Sequence, residues 1–329
     1  MKVLPQILPR ATTSSKLFIT GATVGPVVDS LHNQCLLTYG IAPISIPWPS
    51  FTMPTDAAAA AAAASDATVT SSYLFCSSWL VPPLLGVAYV VLGGVLPRLM
   101  QILIDNVSNV NDDASTISNN NDINTFTGNK TKDTRKGFFL RWKDKLSSPL
   151  QKLSKINIKI EENNNDGENR QYQTGMRNRA LVAVLSTALI IKLSEFLETQ
   201  QLDAFVTNTN LDIGMSNLII MLFAALAQWA TLDGTIAALL AATVTSIGGP
   251  LSELPFVASG CWSYLPEAAD YLPLSQGTAL GDIVGIFASG GGGDYRDLAL
   301  SSITGPCYFA VTMDAIALGR WFDADDDIM

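Results

Sequence analysis

The sequence has few of the residues that most catalytic and metal sites require. Histidine occurs once among 329 residues, at His32, which excludes a site built from several histidines. The four cysteines form no CxxC pair, so their spacing indicates neither a zinc site nor a disulfide framework. Each lies in or beside an apolar run, which is typical of a buried free thiol. They are Cys35, Cys76, Cys261 and Cys307.

The common catalytic motifs are missing as well. The chain contains no GxSxG, no phosphate-binding P-loop and no HExxH, and no triad surrounds His32. The glycine run at 290–293 lacks the strand–turn–helix context of a phosphate loop, so we interpret it as a linker. Candidate nucleophiles and bases are so few that a membrane-embedded lipid enzyme is the weakest of the function classes considered. We predict no catalytic residue and no cofactor, and no nucleic-acid partner.

Charged residues are also scarce, and hydrophobic residues are abundant. Only 15% of the residues are charged, whereas 48% are hydrophobic. Several runs exceed the length of about 18 apolar residues that crosses a hydrocarbon core. The sequence therefore predicts an all-α polytopic membrane protein with six transmembrane helices. The predicted spans are 17–41, 69–96, 180–197, two helices within 215–254 that meet at the turn signal Asp233–Gly234, and 299–318.

Composition divides the chain into three parts. Residues 1–99 hold an N-terminal tail and helices one and two, and residues 179–329 hold helices three to six with an acidic tail. Residues 100–178 are rich in asparagine and basic residues, and we predict a disordered insertion there. Its basic aromatic part, 137–160, is predicted either to lie on an anionic membrane or merely to set topology. By the positive-inside rule, this insertion, both termini and the Asp233 turn are cytosolic.

Polar residues inside the predicted spans are costly in lipid and therefore informative. Asp29, His32 and Asn33 share one helical face by their i, i+3, i+4 spacing. This face is either a ligand, partner or proton site, or a set of interfacial groups bonded to neighbouring helices. Asp314 is a second case, in span six. A transporter or channel whose path is lined by Asp29, His32 and Asp314 is thus the rival hypothesis, although the sequence has no evident inverted repeat.

The second span carries unusual residues for a transmembrane helix. Pro82 and Pro83 predict a kink or a break, because proline removes a backbone donor. Gly86, Gly93 and Gly94 predict close approach by a neighbouring helix. The span is therefore expected to serve helix–helix contact as well as contact with lipid.

Three motifs in order resemble signatures of the Insig (insulin-induced gene) family. They are FCSSWLVPPLLG at 75–86, WATLD at 229–233, and PCYF at 306–309 followed by Gly319 and Arg320. The family is one of six-span, non-enzymatic adaptors of the endoplasmic reticulum membrane. Its members bind oxysterols and the sterol-sensing domains of the SREBP escort protein and of HMG-CoA reductase.

The resemblance implies a role in regulating sterol or isoprenoid synthesis, with sterol-sensing-domain proteins, a sterol or oxysterol, and membrane lipids as partners. It implies that Asp233 and Trp229 bind the protein partner. The alternative from the residues alone is that Asp233 caps the helix that begins at Gly234. The resemblance also implies a ligand-binding wall formed by Phe75, Trp79, Pro82, Pro83 and Gly86. The sequence departs from the family at Leu84 and Leu85, where the family has adjacent cysteines, and at Ser216, where it has glutamine.

Overall fold

The computed structural model describes residues 7–33, 37–47, 73–119, 165–199, 213–264, 301 and 303–326. These residues form six helices and four short strands. The helices are α1 (Ala11–Asn33), α2 (81–119), α3 (Asn165–Thr199), α4 (Ile213–Leu232), α5 (Ile236–Ala258) and α6 (Thr304–Asp326). The strands are β1 (Leu37–Tyr39), β2 (Pro43–Pro47), β3 (Tyr73–Ser78) and β4 (Trp262–Tyr264).

Four of these helices are long and apolar enough to cross a membrane. They are α2 to α5, with spans at Val81–Val107, Tyr172–Leu197, Gly214–Leu232 and Ile236–Val257. The chain is thus a mostly helical membrane protein, as its composition predicts. Six described helices correspond to the six predicted spans, and four of them meet this criterion of length and hydropathy within the described residues.

Helix α6 lies at the centre of the bundle, in contact with α1, with the middle of α2, and with α3, α4 and α5. Fourteen of its residues are buried, and they occur on all sides of the helix, as in a core helix surrounded by others. Small residues such as Ala310, Ala315 and Gly319 let the neighbours come close. The central position explains how Asp314 is fully buried although it lies in the middle of a helix.

Helix α2 begins later than the sequence predicts and is distorted elsewhere. Span two was expected from residue 69, but β3 pairs antiparallel with β2, and the helix begins at Val81. Pro82 and Pro83 therefore stand in the first turn, where no intrahelical donor is lost, and the predicted kink or break at these prolines is wrong. The distortion is a π-helical segment at Val90–Val95, between α-helical parts at Val81–Tyr89 and Leu96–Asn119.

The glycines of α2 allow the close approach that the sequence predicts. A Cβ atom at Gly86 would lie 2.8 Å from the ring of Phe18 on α1. A Cβ atom at Gly93 would lie 2.3 Å from the carbonyl oxygen of Ala315 on α6. Real Cβ atoms do not approach so closely, so a side chain at either glycine would push the helices apart.

The two ends of the bundle are different in structure. At one end, β1 pairs antiparallel with β4, which joins the chain after α1 to the chain after α5. This pairing ends α1 at Asn33, short of the predicted limit at residue 41. We call this the strand end. The opposite, terminal end contains the start of α1, the turn between α4 and α5, and the end of α6.

The predicted insertion is only partly covered by the described residues. Helix α2 continues to Asn119 and α3 begins at Asn165, so both helices extend into the range 100–178. Residues 120–164, with most of the asparagine-rich and basic sequence, lie outside the described residues. The division into 1–99, 100–178 and 179–329 therefore stays a prediction.

Candidate functional site

A cavity of about 240 Å³ lies between α1, α2, α5 and α6, towards the strand end. Its walls are mainly apolar and include Val28, Leu85, Phe256 and Val311. Binding sites for small molecules have this character, with an apolar lining and a few placed polar groups. The polar groups that matter here belong to two acidic residues.

Asp29 is the first of these acidic residues. It stands one turn before the end of α1, where the helix meets the strands. Its carboxylate accepts hydrogen bonds from the hydroxyl of Tyr39 and, at 2.8 Å, from the hydroxyl of Ser77. The side chain lines the cavity, so the predicted polar face of α1 does reach an internal space at this residue. The side chains of His32 and Asn33 lie outside the described residues.

Glu253 is the second acidic residue, and sequence analysis missed it. It lies near the end of α5 and is 8% exposed. Its Oε2 accepts hydrogen bonds from the Tyr264 hydroxyl at 2.7 Å and from the Trp262 indole at 3.3 Å. Its Oε1 accepts a hydrogen bond from the Tyr308 hydroxyl at 2.7 Å. A lone acid in the apolar run of a predicted span was the available signal, by the same rule that drew attention to Asp314.

Aromatic side chains surround this carboxylate. Phe256 and Trp262 stack with ring centroids 4.9 Å apart and nearly parallel planes. Both rings line the cavity, as do Tyr39, Tyr89 and Tyr308. The strand end of the cavity is therefore a set of aromatic faces around acidic groups.

Tyr89 links the cavity to the second predicted polar residue, Asp314. Tyr89 lines the cavity and donates a hydrogen bond of 2.9 Å to Oδ2 of Asp314. Asp314 itself is not among the residues lining the cavity, and its Oδ1 has no partner within the described residues. Asp29 therefore lines the cavity, whereas Asp314 is joined to it through the hydroxyl of Tyr89.

The five predicted ligand residues lie near the cavity but do not line it. Trp79 is 69% exposed, Phe75 is half-buried in β3, and Gly86 faces Phe18. Pro82 and Pro83 form the first turn of α2. Their neighbours in the same motif line the cavity instead, at Val81, Leu84 and Leu85. The ligand role of the five residues stays a prediction.

Asp233, a predicted partner residue, is held within the chain. Its side chain is 4% exposed and forms an ion pair with Arg320 of α6. It also accepts a hydrogen bond of 2.9 Å from the backbone N–H of Thr235, whose hydroxyl caps the start of α5. Trp229 donates from its indole to the Thr235 carbonyl at 2.9 Å, and Gly234 adopts a φ of 67° that suits glycine. These contacts fix the turn between α4 and α5.

Further ion pairs join the helices at the terminal end. Lys16 of α1 lies 2.7 Å from Asp325 and 2.8 Å from Asp326 of α6. Arg98 of α2 lies 2.5 Å from Asp323. The start of α1 and the middle of α2 are thereby bound to the end of α6. Within the described ranges, no three histidine, cysteine, aspartate or glutamate side chains come together as metal ligands.

The fold and the cavity define a polytopic helical membrane protein with a mainly apolar cavity between its helices. Two solved structures are similar over 96% of this chain and 96% of their own. One is a mycobacterial Insig homologue, MvINS from Mycobacterium vanbaalenii, at 13% identity and a TM-score of 0.45. The other is a cross-linked MvINS trimer, at 13% identity and a TM-score of 0.46. No family model and no curated protein matches the chain.

The solved structures bear the name of the family that the sequence motifs resemble. At this identity and TM-score the likeness concerns the fold alone. What the cavity and the Asp233 turn do must therefore be argued from the residues of this chain.

Proposed function

We propose that the chain is a non-enzymatic adaptor of the endoplasmic reticulum membrane that regulates sterol or isoprenoid synthesis. It would hold a membrane lipid, with a sterol or oxysterol as the candidate, in the cavity between α1, α2, α5 and α6. It would bind sterol-sensing-domain proteins, the SREBP escort protein or HMG-CoA reductase, through helix contacts and the Asp233 turn. Both termini would lie in the cytosol. The observation that carries the proposal is the apolar cavity with polar acceptors at one end.

The lining of the cavity suits a lipid with a small polar head. Apolar walls from four helices would enclose a hydrocarbon body, and the carboxylates of Asp29 and Glu253 would accept hydrogen bonds from its head. The volume of about 240 Å³ is close to the lower limit of ligand sites, which span roughly 300 to 1,000 Å³. The ligand would therefore fill the cavity completely or extend from it towards the lipid.

The terminal end offers the face for the protein partner. Arg320 is 40% exposed, while Asp233 beneath it is 4% exposed. A partner that contacts Asp233 must therefore displace Arg320 from its carboxylate. The WATLD motif and Arg320 come together at this end through the Asp233–Arg320 ion pair, which supports a shared role. The PCYF motif lies at the start of α6, where Cys307 and Tyr308 line the cavity.

One observation favours a transporter as the second candidate function. Asp314 is buried in the middle of α6 with an oxygen that has no partner within the described residues, and Tyr89 joins it to the cavity. A transport path would have to continue past Tyr89 towards the terminal end. Substrate flux in reconstituted vesicles that depends on Asp29 and Asp314 would support this candidate over the adaptor.

The test is affinity purification of the tagged chain in mild detergent, with and without sterol depletion, followed by identification of co-purified proteins. Recovery of a sterol-sensing-domain protein that responds to sterol is the expected result. Asp233→Ala is expected to abolish this recovery at normal expression. Recovery that is unchanged in Asp233→Ala, or a chain that purifies without a partner in both conditions, would contradict the proposal.

Arg320→Met is the matched control, because it breaks the same ion pair from the other side. If the partner contacts Asp233 directly, Arg320→Met is expected to retain capture. If both variants lose capture equally, the pair acts by holding the turn in place, and the direct contact at Asp233 is wrong.

A further inference from the structure

Glu253 is a buried acid whose hydrogen-bond donors within the described residues are all neutral. Its three hydrogen bonds come from two tyrosine hydroxyls and an indole, all of them neutral donors. Such donors favour the ionised form of a carboxylate, whereas burial favours the protonated form, so a cation beside the group would favour ionisation further. Among the described residues, no lysine or arginine forms an ion pair with Glu253. Buried charges within membrane helices are ordinarily matched by an opposite charge, so a cation bound in the cavity would complete the site when Glu253 is ionised.

The carboxylate also has room for a further donor. Oε2 accepts from Trp262 and Tyr264, whereas Oε1 accepts from Tyr308 alone. Each carboxylate oxygen has two lone pairs, so Oε1 has one left. Since Glu253 lines the cavity, a ligand in the cavity is the group that this lone pair can meet.

The surroundings of Glu253 favour a cation for a second, independent reason. The rings of Phe256, Trp262 and Tyr308 line the same cavity. Aromatic faces attract ammonium groups through the ring quadrupole, and the attraction grows when water is excluded. An acidic group surrounded by aromatic rings is a common way for proteins to bind an amine.

We propose that the head group bound at the strand end of the cavity is a cation, so that the preferred occupant is an amphiphile with an ammonium group on an apolar body. The ammonium would donate to Oε1 of Glu253 and lie against the rings of Phe256 and Trp262. Asp29, on the same cavity, would add a second negative group. The inference rests on the proposed function only in that a lipid occupies the cavity.

A neutral alcohol would satisfy the site less well. Its hydroxyl would donate one neutral hydrogen bond, and the charge of Glu253 would remain without compensation. A charge-assisted hydrogen bond contributes roughly twice as much as a neutral one, which corresponds to about a tenfold difference in affinity. A matched amine and alcohol on the same body should therefore differ by at least that factor.

The experiment compares two probes that differ only in the head group. The full-length chain is placed in nanodiscs of zwitterionic lipid, and saturable retention is measured for a labelled 3-hydroxysterol and for its 3-aminosterol counterpart. Empty nanodiscs correct for partition into the bilayer. The aminosterol is expected to bind about tenfold more tightly. This comparison uses the unaltered chain, so it does not depend on whether any variant folds.

Three variants test whether the preference for the amine depends on Glu253. Glu253→Gln keeps an acceptor but removes the charge, and it is expected to abolish the preference for the amine. Tyr308→Phe removes a neutral donor from Oε1 and is expected to retain the preference. Glu195→Gln is the matched control, since Glu195 is an acid near the end of α3 that pairs with Lys192 and does not line the cavity.

The outcomes separate this inference from the proposed function. An amine preference that is lost in Glu253→Gln but retained in Glu195→Gln supports it. Equal binding, or tighter binding of the hydroxysterol, overturns it and leaves the adaptor proposal intact. A preference that persists in Glu253→Gln overturns the role of Glu253. Saturable binding of neither probe overturns the inference and the ligand part of the proposed function together, while capture of the protein partner is tested separately.

Discussion

Acidic residues have different partners at the two ends of the bundle. At the terminal end, aspartates pair with basic side chains from other helices, as Asp233 does with Arg320 and Asp323 with Arg98. At the strand end, Glu253 is held by hydroxyl and indole donors. The terminal end thus pairs its carboxylates with basic side chains, and these pairs bind helices together. The strand end places an acid that has no basic partner among the described residues beside a cavity, where we propose that it selects a ligand.

The difference between the two ends also predicts how strongly substitutions there affect stability. Ion pairs near the protein surface contribute little each, with a median of about 0 to 1 kcal/mol. A buried carboxylate with three donors is costly to remove, because the donors lose their partner together. We therefore expect substitutions at the strand end to have larger effects on stability than substitutions at the terminal end.

Glu253→Ala should have the largest effect. It leaves the hydroxyls of Tyr264 and Tyr308 and the Trp262 indole without their acceptor, and each buried unpaired donor costs about 1 to 3 kcal/mol. We expect a loss of about 3 kcal/mol or more in the free energy of unfolding, measured by thermal unfolding in detergent. A loss below about 1 kcal/mol would mean that cavity water replaces the carboxylate, and the contrast between the ends would weaken.

Arg320→Met should have an intermediate effect. It leaves the nearly buried carboxylate of Asp233 without its cation, although the hydrogen bond from Thr235 remains. We expect a loss of about 1 to 2 kcal/mol, since one partner of the pair is close to water. Thermal unfolding at low and high salt provides the check. A loss as large as that of Glu253→Ala would show that both ends depend equally on their carboxylates.

Loss of the ion pairs of Lys16 with Asp325 and Asp326 should have the smallest effect on stability, and this effect should depend on pH. These residues lie at the ends of α1 and α6, beyond the predicted spans 17–41 and 299–318. The hydrogen bond from Lys16, followed by that from Thr12, lowers the pKa of Asp326 from 3.8 to about 2. The hydrogen bonds to Asp325 and Asp326 raise the pKa of Lys16 above 10.5.

The direction of the pH effect follows from these shifts. A lowered folded-state pKa gives stability that is present above about pH 4 and is lost as the pH falls towards 2. A raised lysine pKa gives stability that is present below 10.5 and is lost at higher pH. The free energy of unfolding of the Asp326→Asn variant should therefore fall less steeply between pH 4 and 2 than that of the unaltered chain. The exposed Asp105, bonded to Gln101, provides the control, and an identical change in Asp105→Asn would contradict the assignment.

Much of the helical fold could be predicted from the sequence, because apolar runs and turn signals are local. The break at Asp233–Gly234 and the close approach at Gly86 and Gly93 are confirmed. The limits of spans one and two are wrong, because the residues concerned pair with distant partners. Tyr73–Ser78 pairs with Pro43–Pro47, and Leu37–Tyr39 pairs with Trp262–Tyr264, which local hydropathy does not report.

The cavity could be predicted only in part. Asp29 stood out because an acid in an apolar span is costly, and it lines the cavity. Glu253 obeys the same rule, but it lies one residue before the limit of the predicted apolar run 215–254, and the sequence analysis did not single it out. Its tyrosine donors come from β4 and α6, eleven and 55 residues away along the chain, so the cluster forms only in the tertiary structure.

The π-helical segment Val90–Val95 lies between two parts of α2 that pack against different helices. The part before it packs on α1 and lines the cavity, and the part after it packs on α5. A segment wound more widely than an α-helix shifts the angular phase of everything beyond it, and one residue corresponds to about 100° of rotation. The segment therefore accommodates about one residue more than regular α-helical winding would. Deletion of one residue between 90 and 95 would let it become α-helical while Val81, Leu85 and Tyr89 still line the cavity.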